Sequence, residues 1–372
     1  MGGILTYFLL PDRPAEATFL TAEEKDWIRG ELAEDSKLML RWSHVFSPIL
    51  LVSLLGSIYA QSAVWRDPSP HTAQMVSVDK NVRLEVLDWG GSGRPVILLA
   101  GGGNTAHVFD EFAPKLTAKW HVYGITRRGF GRSSYAPLDG GGGDRLGEDV
   151  LAVIRALKLN KPVLVGHSIA GVELSSVATR HPNSIAGVVY LEAAYPYAFE
   201  KANGPTMKQF LALQGPQAPT PAESDLRSFT ALQKWDAEVY GFQLPVSEFQ
   251  QTWDSAPDGR VEKPRDFPGS EIFMTIMNGT TKYTRILVPA LAIFAIPHIP
   301  ETWITKTTDP TVRGAANTYF TALDVITEKQ AKAFEEGVPT ARVIRLRGMH
   351  YIFVSNESDV LREMRAFLND LK

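Results

Sequence analysis

From residue 76 onward, the chain alternates short runs of β-branched and aliphatic residues with segments long enough for amphipathic helices. Continuous apolar runs, such as residues 96–99, are typical of parallel strands that are covered on both faces. We therefore predict an α/β fold with a doubly wound, mostly parallel sheet. Strands are expected at 83–87, 96–100, 121–125, 162–165, 185–191, 290–295 and 342–346, helices at 108–116, 149–157, 170–180 and 358–371, and a flexible glycine link at 140–143.

The composition excludes several classes of function. The 372-residue chain has a formal net charge of −3 and dispersed Lys and Arg residues, so no nucleic-acid partner is expected. It contains no Cys, which excludes thiol nucleophiles and zinc–thiolate sites. The eight His residues show no helical metal-binding spacing such as His-Glu-x-x-His. We expect chemistry on a small-molecule substrate, with no metal ion and no other cofactor.

A stretch near the N-terminus has the pattern of a secretory signal. Residues 42–65 carry no Asp, Glu, Lys or Arg, Arg41 precedes them, and small residues follow the apolar centre near Ala60 and Ala63. The apolar centre is short for a bilayer, which needs about 20 residues. We predict a signal peptide over 39–63 and export to the periplasm or the medium. The alternative is an uncleaved membrane anchor, the one case in which a membrane contact is expected.

Residues 1–38 precede this predicted signal. Within them, YFLLPDRP at 7–14 and FLTAEEKDWI at 19–28 resemble an inter-helix loop of major facilitator transporters of organic anions. Thr21 and Glu24 have the spacing of a capping box that opens a short acidic helix. We interpret residues 1–38 as an N-terminal extension without a catalytic role, or as a fragment from a fused or neighbouring gene. The alternative is a mis-called start, with Met39 to Arg41 as the positively charged beginning of the signal.

The segment PVLVGHSIAG at 162–171 predicts a strand that turns sharply into a helix, with Ser168 at the turn. A serine at such a corner holds its hydroxyl clear of the sheet, and small neighbours are needed because the backbone passes close by. Ala170 stands where the strict pattern has a second glycine. Ser168 is therefore a candidate nucleophile, the alternative being an ordinary helix N-cap.

Two further motifs carry a family resemblance. LLAGGGN at 98–104 follows one predicted strand, and TRRGFGRSS at 126–134 follows the next. Together with the Ser168 turn, they resemble the α/β-hydrolase superfamily over residues 76–372, with Ala100 in place of the usual His. The resemblance implies a serine nucleophile, a cap inserted into the core and no cofactor.

The resemblance also implies the partners of Ser168. A serine nucleophile needs a base, and the family places its histidine after the last strand, where this chain has His350. The developing oxyanion would be stabilised by backbone N–H groups of Ile169 and of Gly102. For each position the alternative is an ordinary loop or turn residue.

The acidic partner of His350 departs from the usual pattern. The family commonly carries an Asp after the strand that follows the cap, where this chain has His298. Some members place the acid after the preceding strand, and the sequence has Glu192 there. We assign the acid to Glu192, with Glu301 and Asp324 as weaker candidates. His298 is interpreted as a loop residue, or alternatively as part of the pocket.

The predicted core, 76–193 and 286–372, is interrupted by a segment at 194–285 that resembles the family's mainly helical cap. Its aromatic residues could form an apolar substrate pocket or the cap's own core. They are Tyr195, Tyr197, Phe199, Phe210, Trp235, Tyr240, Phe242, Trp253 and Phe273.

These features predict a serine hydrolase that cleaves a carboxylic ester of a small or medium apolar compound. A serine at position 168 disfavours the epoxide-opening and dehalogenating chemistry that needs a carboxylate nucleophile. The alternatives are hydrolysis of a lactone, an amide or a carbon–carbon bond, and a catalytically silent binding protein of the same fold.

Overall fold

An eight-stranded sheet forms the centre of the computed structural model, which describes residues 67–138, 142–278 and 283–371. Its spatial order is β1-β2-β4-β3-β5-β6-β9-β10, and a separate pair, β7-β8, is antiparallel. The strands are β1 (Thr72–Asp79), β2 (Val82–Gly90), β3 (Pro95–Leu99), β4 (His121–Ile125), β5 (Val163–His167), β6 (Gly187–Leu191), β7 (Trp253–Ser255), β8 (Val261–Pro264), β9 (Ala290–His298) and β10 (Ala341–Gly348).

The sheet is parallel from β4 to β10, whereas β1 and β2 pair in the antiparallel direction. The helices are α1 (Gly142–Ala156), α2 (Gly171–Arg180), α3 (Met207–Leu211), α4 (Phe229–Tyr240), α5 (Val246–Thr252), α6 (Gly269–Met277), α7 (Thr302–Lys306), α8 (Pro310–Gly337), α9 (Ile352–Ser355) and α10 (Glu357–Asp370). The predicted α/β class and mostly parallel sheet are confirmed.

Strands β5 and β6 are buried at every residue, as expected for parallel strands covered on both faces. On one face, α1 packs closely against α2. A Cβ atom at Gly147 would lie 2.5 Å from Ser176 Oγ, and one at Gly143 would overlap the Val172 side chain. The expectation of a flexible link at 140–143 is therefore wrong for Gly142 and Gly143, which form the first turn of α1.

Every predicted strand overlaps an observed one, but three features differ from expectation. Strand β1 was not predicted. The predicted helix at 108–116 is instead two short 3₁₀ turns, Ala106–Phe109 and Ala113–Lys115. Pro114 lies in the second turn and lacks the N–H that a continuous helix would need.

The third difference is α8, a 28-residue helix that lies between β9 and β10. Its sequence does carry a start signal, because the Asp309 side chain accepts a hydrogen bond from the Thr311 N–H and Pro310 occupies the first turn. Few of its residues are buried, so its apolar face is narrow and periodicity is a weak guide.

The predicted cap segment contains helices α3 to α6 and the β7-β8 pair. Several of its aromatic side chains pack on one another, with ring centroids 4.9 Å apart for Tyr195 and Phe210. The predicted extension at 1–38 and the predicted signal at 39–63 lie outside the described residues. Among the residues that the structure describes, no helix is long and apolar enough to cross a membrane.

Candidate active site

Ser168 lies at a sharp corner between β5 and α2. Its φ angle is 53°, in the left-handed region that non-glycine residues rarely adopt, and a short 3₁₀ turn connects it to α2. Such a conformation typically costs about 1–3 kcal/mol and is found mainly at functional sites. The steric demand falls on Gly171 rather than on Ala170, because a Cβ atom at Gly171 would overlap the Ala193 carbonyl oxygen.

His350 follows β10 and brings its ring to Ser168. Its Nε2 atom lies 3.0 Å from Ser168 Oγ, and its Nδ1 atom lies 3.3 Å from Glu192 Oε2. Donation from Nδ1–H to the carboxylate leaves Nε2 free to accept the hydroxyl proton. Burial lowers the pKa of His350 below its usual value, and the hydrogen bond with Glu192 opposes that shift. The ring is therefore neutral near pH 7, as a general base must be.

The loop that carries His350 is supported by His167, the last residue of β5. His167 Nε2 donates to the His350 carbonyl oxygen at 3.0 Å, and the two rings lie 4.8 Å apart. Complete burial lowers the pKa of His167 to about 3, so this imidazole is neutral. Its contact positions the backbone of His350 beside the end of β5.

Glu192 directly follows β6, is fully buried and has a φ angle of 51°. Its Oε1 atom accepts from the Ala295 N–H at 2.6 Å, and its Oε2 atom accepts from the Tyr195 hydroxyl at 2.6 Å. Burial raises the pKa of Glu192, but the bonds from His298 and His350 outweigh it and hold the pKa below its usual range. The group is therefore a carboxylate with a fixed orientation.

His298 is more than a loop residue, so the preferred interpretation from sequence is wrong. It is buried, with Nε2 3.4 Å from Glu192 Oε2 and Nδ1 2.7 Å from Asp324 Oδ1. Burial lowers the pKa of His298, but the two carboxylates raise it to about 9, so the ring is an imidazolium at neutral pH. Asp324 thus contacts His298 rather than His350, and Glu301 lies at the start of α7.

The glycine loop at 101–103 lies against the nucleophile. A Cβ atom at Gly101 would lie 3.2 Å from Ser168 Cβ, and one at Gly102 would lie 3.6 Å from Ile169 Cγ2. The two residues proposed to supply the oxyanion N–H groups, Gly102 and Ile169, are therefore neighbours in space. A side chain at position 102 would also meet the Phe273 ring at 2.8 Å.

Arg127 fixes the orientation of this loop. Its guanidinium donates to the Ala100 carbonyl at 2.8 Å and to the Gly101 carbonyl at 3.3 Å, while a bidentate pair with buried Glu173 holds it in place. The C=O and N–H of one trans peptide point in opposite directions. Holding the Gly101 carbonyl therefore directs the Gly102 N–H away from Arg127.

A residue of the predicted cap segment contacts the chain just after this glycine loop. Glu248 of α5 accepts from Asn104 Nδ2 at 2.9 Å and from the Thr105 N–H at 3.0 Å. Asn104 in turn accepts from the Tyr351 hydroxyl at 2.8 Å, beside His350. Burial raises the pKa of Glu248 to about 7, against the lowering effect of its bonds to Thr105.

The structure thus brings Ser168, His350, Glu192, Ile169 and Gly102 together. Sequence reasoning missed the supporting contacts of four residues. They are His167, Arg127, Glu248 and His298, the last of which lies between Glu192 and Asp324. Arg127 stands inside the TRRGFGRSS motif, so its position was available as a signal. The contact of Glu248 with the loop joins distant parts of the chain and has no local signal.

Comparison with known proteins bears on the fold. A family model described as the alpha/beta hydrolase fold matches residues 94–234. An esterase from Exiguobacterium antarcticum superposes with a TM-score of 0.53 and 17% sequence identity. The superposition covers 80% of this chain and 100% of the esterase chain. The chain has the α/β-hydrolase fold.

Curated relatives match over about a third of the chain. The AB hydrolase superfamily protein YisY of Bacillus subtilis is 32% identical over 131 residues, 35% of this chain and 48% of that protein. The bifunctional esterase/perhydrolase DCH of Acinetobacter calcoaceticus is 30% identical over 135 residues, 35% of this chain and 48% of that protein. The match spans less than half the length of each of these relatives.

Proposed function

We propose that this protein is a serine hydrolase that cleaves a carboxylic ester of a small or medium apolar compound. The proposal rests on two consecutive hydrogen-bond contacts. Ser168 Oγ lies 3.0 Å from His350 Nε2, and His350 Nδ1 lies 3.3 Å from Glu192 Oε2. The similarity to a bifunctional esterase/perhydrolase supports the same reaction class.

In the first half-reaction, His350 Nε2 takes the Ser168 proton while Oγ attacks the ester carbonyl carbon. The N–H groups of Ile169 and Gly102 donate to the oxyanion of the tetrahedral intermediate. The carbon–oxygen bond to the alcohol then breaks, and His350 gives its proton to the leaving alkoxide. Glu192 stabilises the imidazolium throughout.

In the second half-reaction, a water molecule loses a proton to His350 and attacks the acyl-enzyme. The bond between the acyl carbon and Ser168 Oγ breaks, Oγ regains the proton, and the carboxylic acid leaves. The surroundings of Ser168 support an apolar acyl group, since the Phe273 ring lies against Gly102.

Labelling with a fluorophosphonate probe tests the proposal, because the probe reacts with an activated serine as fluoride leaves. We expect covalent labelling of the full chain, its loss in Ser168→Ala, and hydrolysis of short- and medium-chain p-nitrophenyl esters. Ser175→Ala is the matched control, since Ser175 is a buried serine on α2 that bonds to Tyr190 instead. Unlabelled wild-type protein at every pH tested contradicts the proposal.

We also propose that the protein is exported, on the basis of the pattern at 39–63. N-terminal sequencing of the full chain after bacterial expression tests this. We expect the exported form to begin just after Ala60 or Ala63, whereas an intact N-terminus in the membrane fraction indicates an anchor.

A further inference from the structure

A second buried cluster of imidazole and carboxylate groups is built from residues that the proposed hydrolysis does not use. Asp67 and His71 precede β1, while His107 and Asp110 lie on and just after the 3₁₀ turn Ala106–Phe109. Each of the four offers one ligand atom, and these atoms all lie within 4.8 Å of one another.

Three of the separations within this cluster fit a tetrahedral metal ion, while its ligand atoms as a set extend up to 4.8 Å apart. His107 Nδ1 lies 3.2 Å from Asp67 Oδ2 and 3.3 Å from Asp110 Oδ2, and His71 Nε2 lies 3.6 Å from Asp67 Oδ2. Zinc bonds to nitrogen and oxygen are about 2.0–2.2 Å long, which places tetrahedral ligand atoms roughly 3.3–3.6 Å apart. Small side-chain movements would therefore complete the coordination.

Several polar atoms of the cluster lack hydrogen-bond partners. Within the described part of the chain, Asp67 Oδ2 and both ring nitrogens of His107 are buried without a hydrogen bond. His107 is only 3% exposed, and the other Asp67 oxygen is already used by the Ser69 N–H at 2.9 Å. Buried polar atoms nearly always have partners. These nitrogen and oxygen atoms lie close together without hydrogen-bond geometry. A bound cation would give each of them a partner by coordinating them.

The surroundings of the cluster resemble the outer shell of a metal site. Asp110 accepts from Trp89 Nε1 at 3.1 Å and from Ser247 Oγ at 2.6 Å, which fixes its carboxylate. Glu85 Oε2 lies 3.6 Å from His107 Nε2, on the far side of the ring from Nδ1. Ligating histidines commonly direct their second nitrogen to a carboxylate in this way.

We propose that Asp67, His71, His107 and Asp110 bind one zinc ion as a closed, four-coordinate structural site. Two imidazoles favour zinc over calcium or magnesium, which prefer all-oxygen ligands. The dication balances the two ligand carboxylates. Four protein ligands leave no open position for substrate, so the ion ties the segment before β1 to the loop that follows β3. The expectation of no metal site rested on helical spacing, whereas these ligands come from two distant segments.

Zinc titration of the full chain, with any affinity tag removed and metal first stripped by a chelator, tests this proposal. We expect one zinc per chain by calorimetry and elemental analysis, and a Tm that rises with zinc concentration. Asp67→Asn and His107→Gln should each weaken zinc binding by more than about a hundredfold. His121→Gln is the matched control, because His121 contacts a single carboxylate, Asp88, at 2.8 Å and should bind zinc as wild type does.

Circular dichroism establishes that each variant is folded before its zinc affinity is compared, and Asp67→Asn is the milder change since Asp67 is partly exposed. Substitution with Co²⁺ should give the visible absorption of a tetrahedral site in the wild type and not in Asp67→Asn. Wild-type protein that takes up no stoichiometric zinc, or variants that bind it with unchanged affinity, would overturn the proposal. Fluorophosphonate labelling of Ser168 is scored separately, so failure of one proposal is distinguishable from failure of the other.

Discussion

Among the residues that the structure describes, two clusters of histidine and carboxylate groups differ in what the second ring nitrogen faces. His350 has Glu192 on one side and the Ser168 hydroxyl on the other. His107 has Asp67 and Asp110 on one side and Glu85 on the other. The first ring can pass a proton from a hydroxyl, while the second is surrounded by acceptors alone. The same residue types therefore suit proton transfer in one place and cation binding in the other.

The backbone differs between the two clusters as well. Within the described residues, five non-glycine positions have a positive φ angle, and Ser168 and Glu192 are two of them. The four residues of the zinc cluster are not among these positions. Two of these five strained positions therefore belong to the proposed catalytic cluster, and none belongs to the proposed zinc cluster.

The largest expected effect is a loss of turnover when the carboxylate of the Ser168–His350–Glu192 cluster is removed. Glu192→Gln should lower kcat by about 10⁴-fold, because the His350 ring loses the charge that stabilises its protonated form. The measurement is steady-state ester hydrolysis. The matched control is Asp149→Asn, which also removes a buried carboxylate, one paired with Arg128. Turnover of Glu192→Gln equal to that of the control would move the acidic role to another residue.

The reverse experiment removes a carboxylate from the other cluster. Asp110→Asn should lower the free energy of unfolding by about 3 kcal/mol, since its buried carboxylate accepts from Trp89 and Ser247 and contacts His71. Denaturant titration measures the loss. Asp88→Asn changes a partly exposed partner of His121 and should cost less than about 1 kcal/mol. Equal losses in the two variants would show that the buried cluster adds no special stability.

Arg127 offers a finer test of the reacting cluster. Arg127→Lys cannot hold Glu173 and the two loop carbonyls at once. We expect kcat to fall between about tenfold and a hundredfold as the Gly102 N–H loses its orientation. Arg128→Lys is the control, because Arg128 is equally buried and pairs with Asp149 without touching the loop. If both variants lose the same activity, the effect is one of general destabilisation.

The smallest expected effect concerns pH. The acidic limb of kcat/KM should lie below pH 6.5, since the base must be unprotonated and burial lowers the pKa of His350. The positive charge of His298 lowers that pKa further. His298→Gln should therefore move the limb upward by less than about one pH unit, and Glu192→Gln should move it downward. If the acidic limb moves in the same direction in both variants, His298 and Glu192 do not have opposite effects on the pKa of His350, and this interpretation is wrong.

The sheet was predictable because its central strands are buried on both faces and read as continuous apolar runs. Strand β1 was missed because it pairs with β2 alone and is largely exposed. The helix α8 was missed because an exposed helix carries little periodic signal.

The residues of the candidate site were predictable where each follows a strand of the parallel sheet. Ser168, Glu192 and His350 each follow a parallel strand, and parallel strands deliver such residues to one edge of the sheet. Their contact was therefore inferable, while their catalytic roles stay predictions. The Arg127 and Glu248 contacts with the glycine loop, and the zinc cluster, depend on three-dimensional packing between segments far apart in sequence. Spacing rules for metal ligands on one helix cannot detect such a cluster.

The position of Glu192 directly after β6 has a consequence for remodelling this scaffold. The proposed nucleophile and the proposed acid both lie on the uninterrupted β5-α2-β6 unit, upstream of the segment at 194–285. A chimera that exchanges this segment from residue 196 onward would keep Ser168, Glu192 and Tyr195. The loop after β10 would then supply His350 and complete the set of contacts. Specificity could then be varied as a module, without rebuilding the reactive centre.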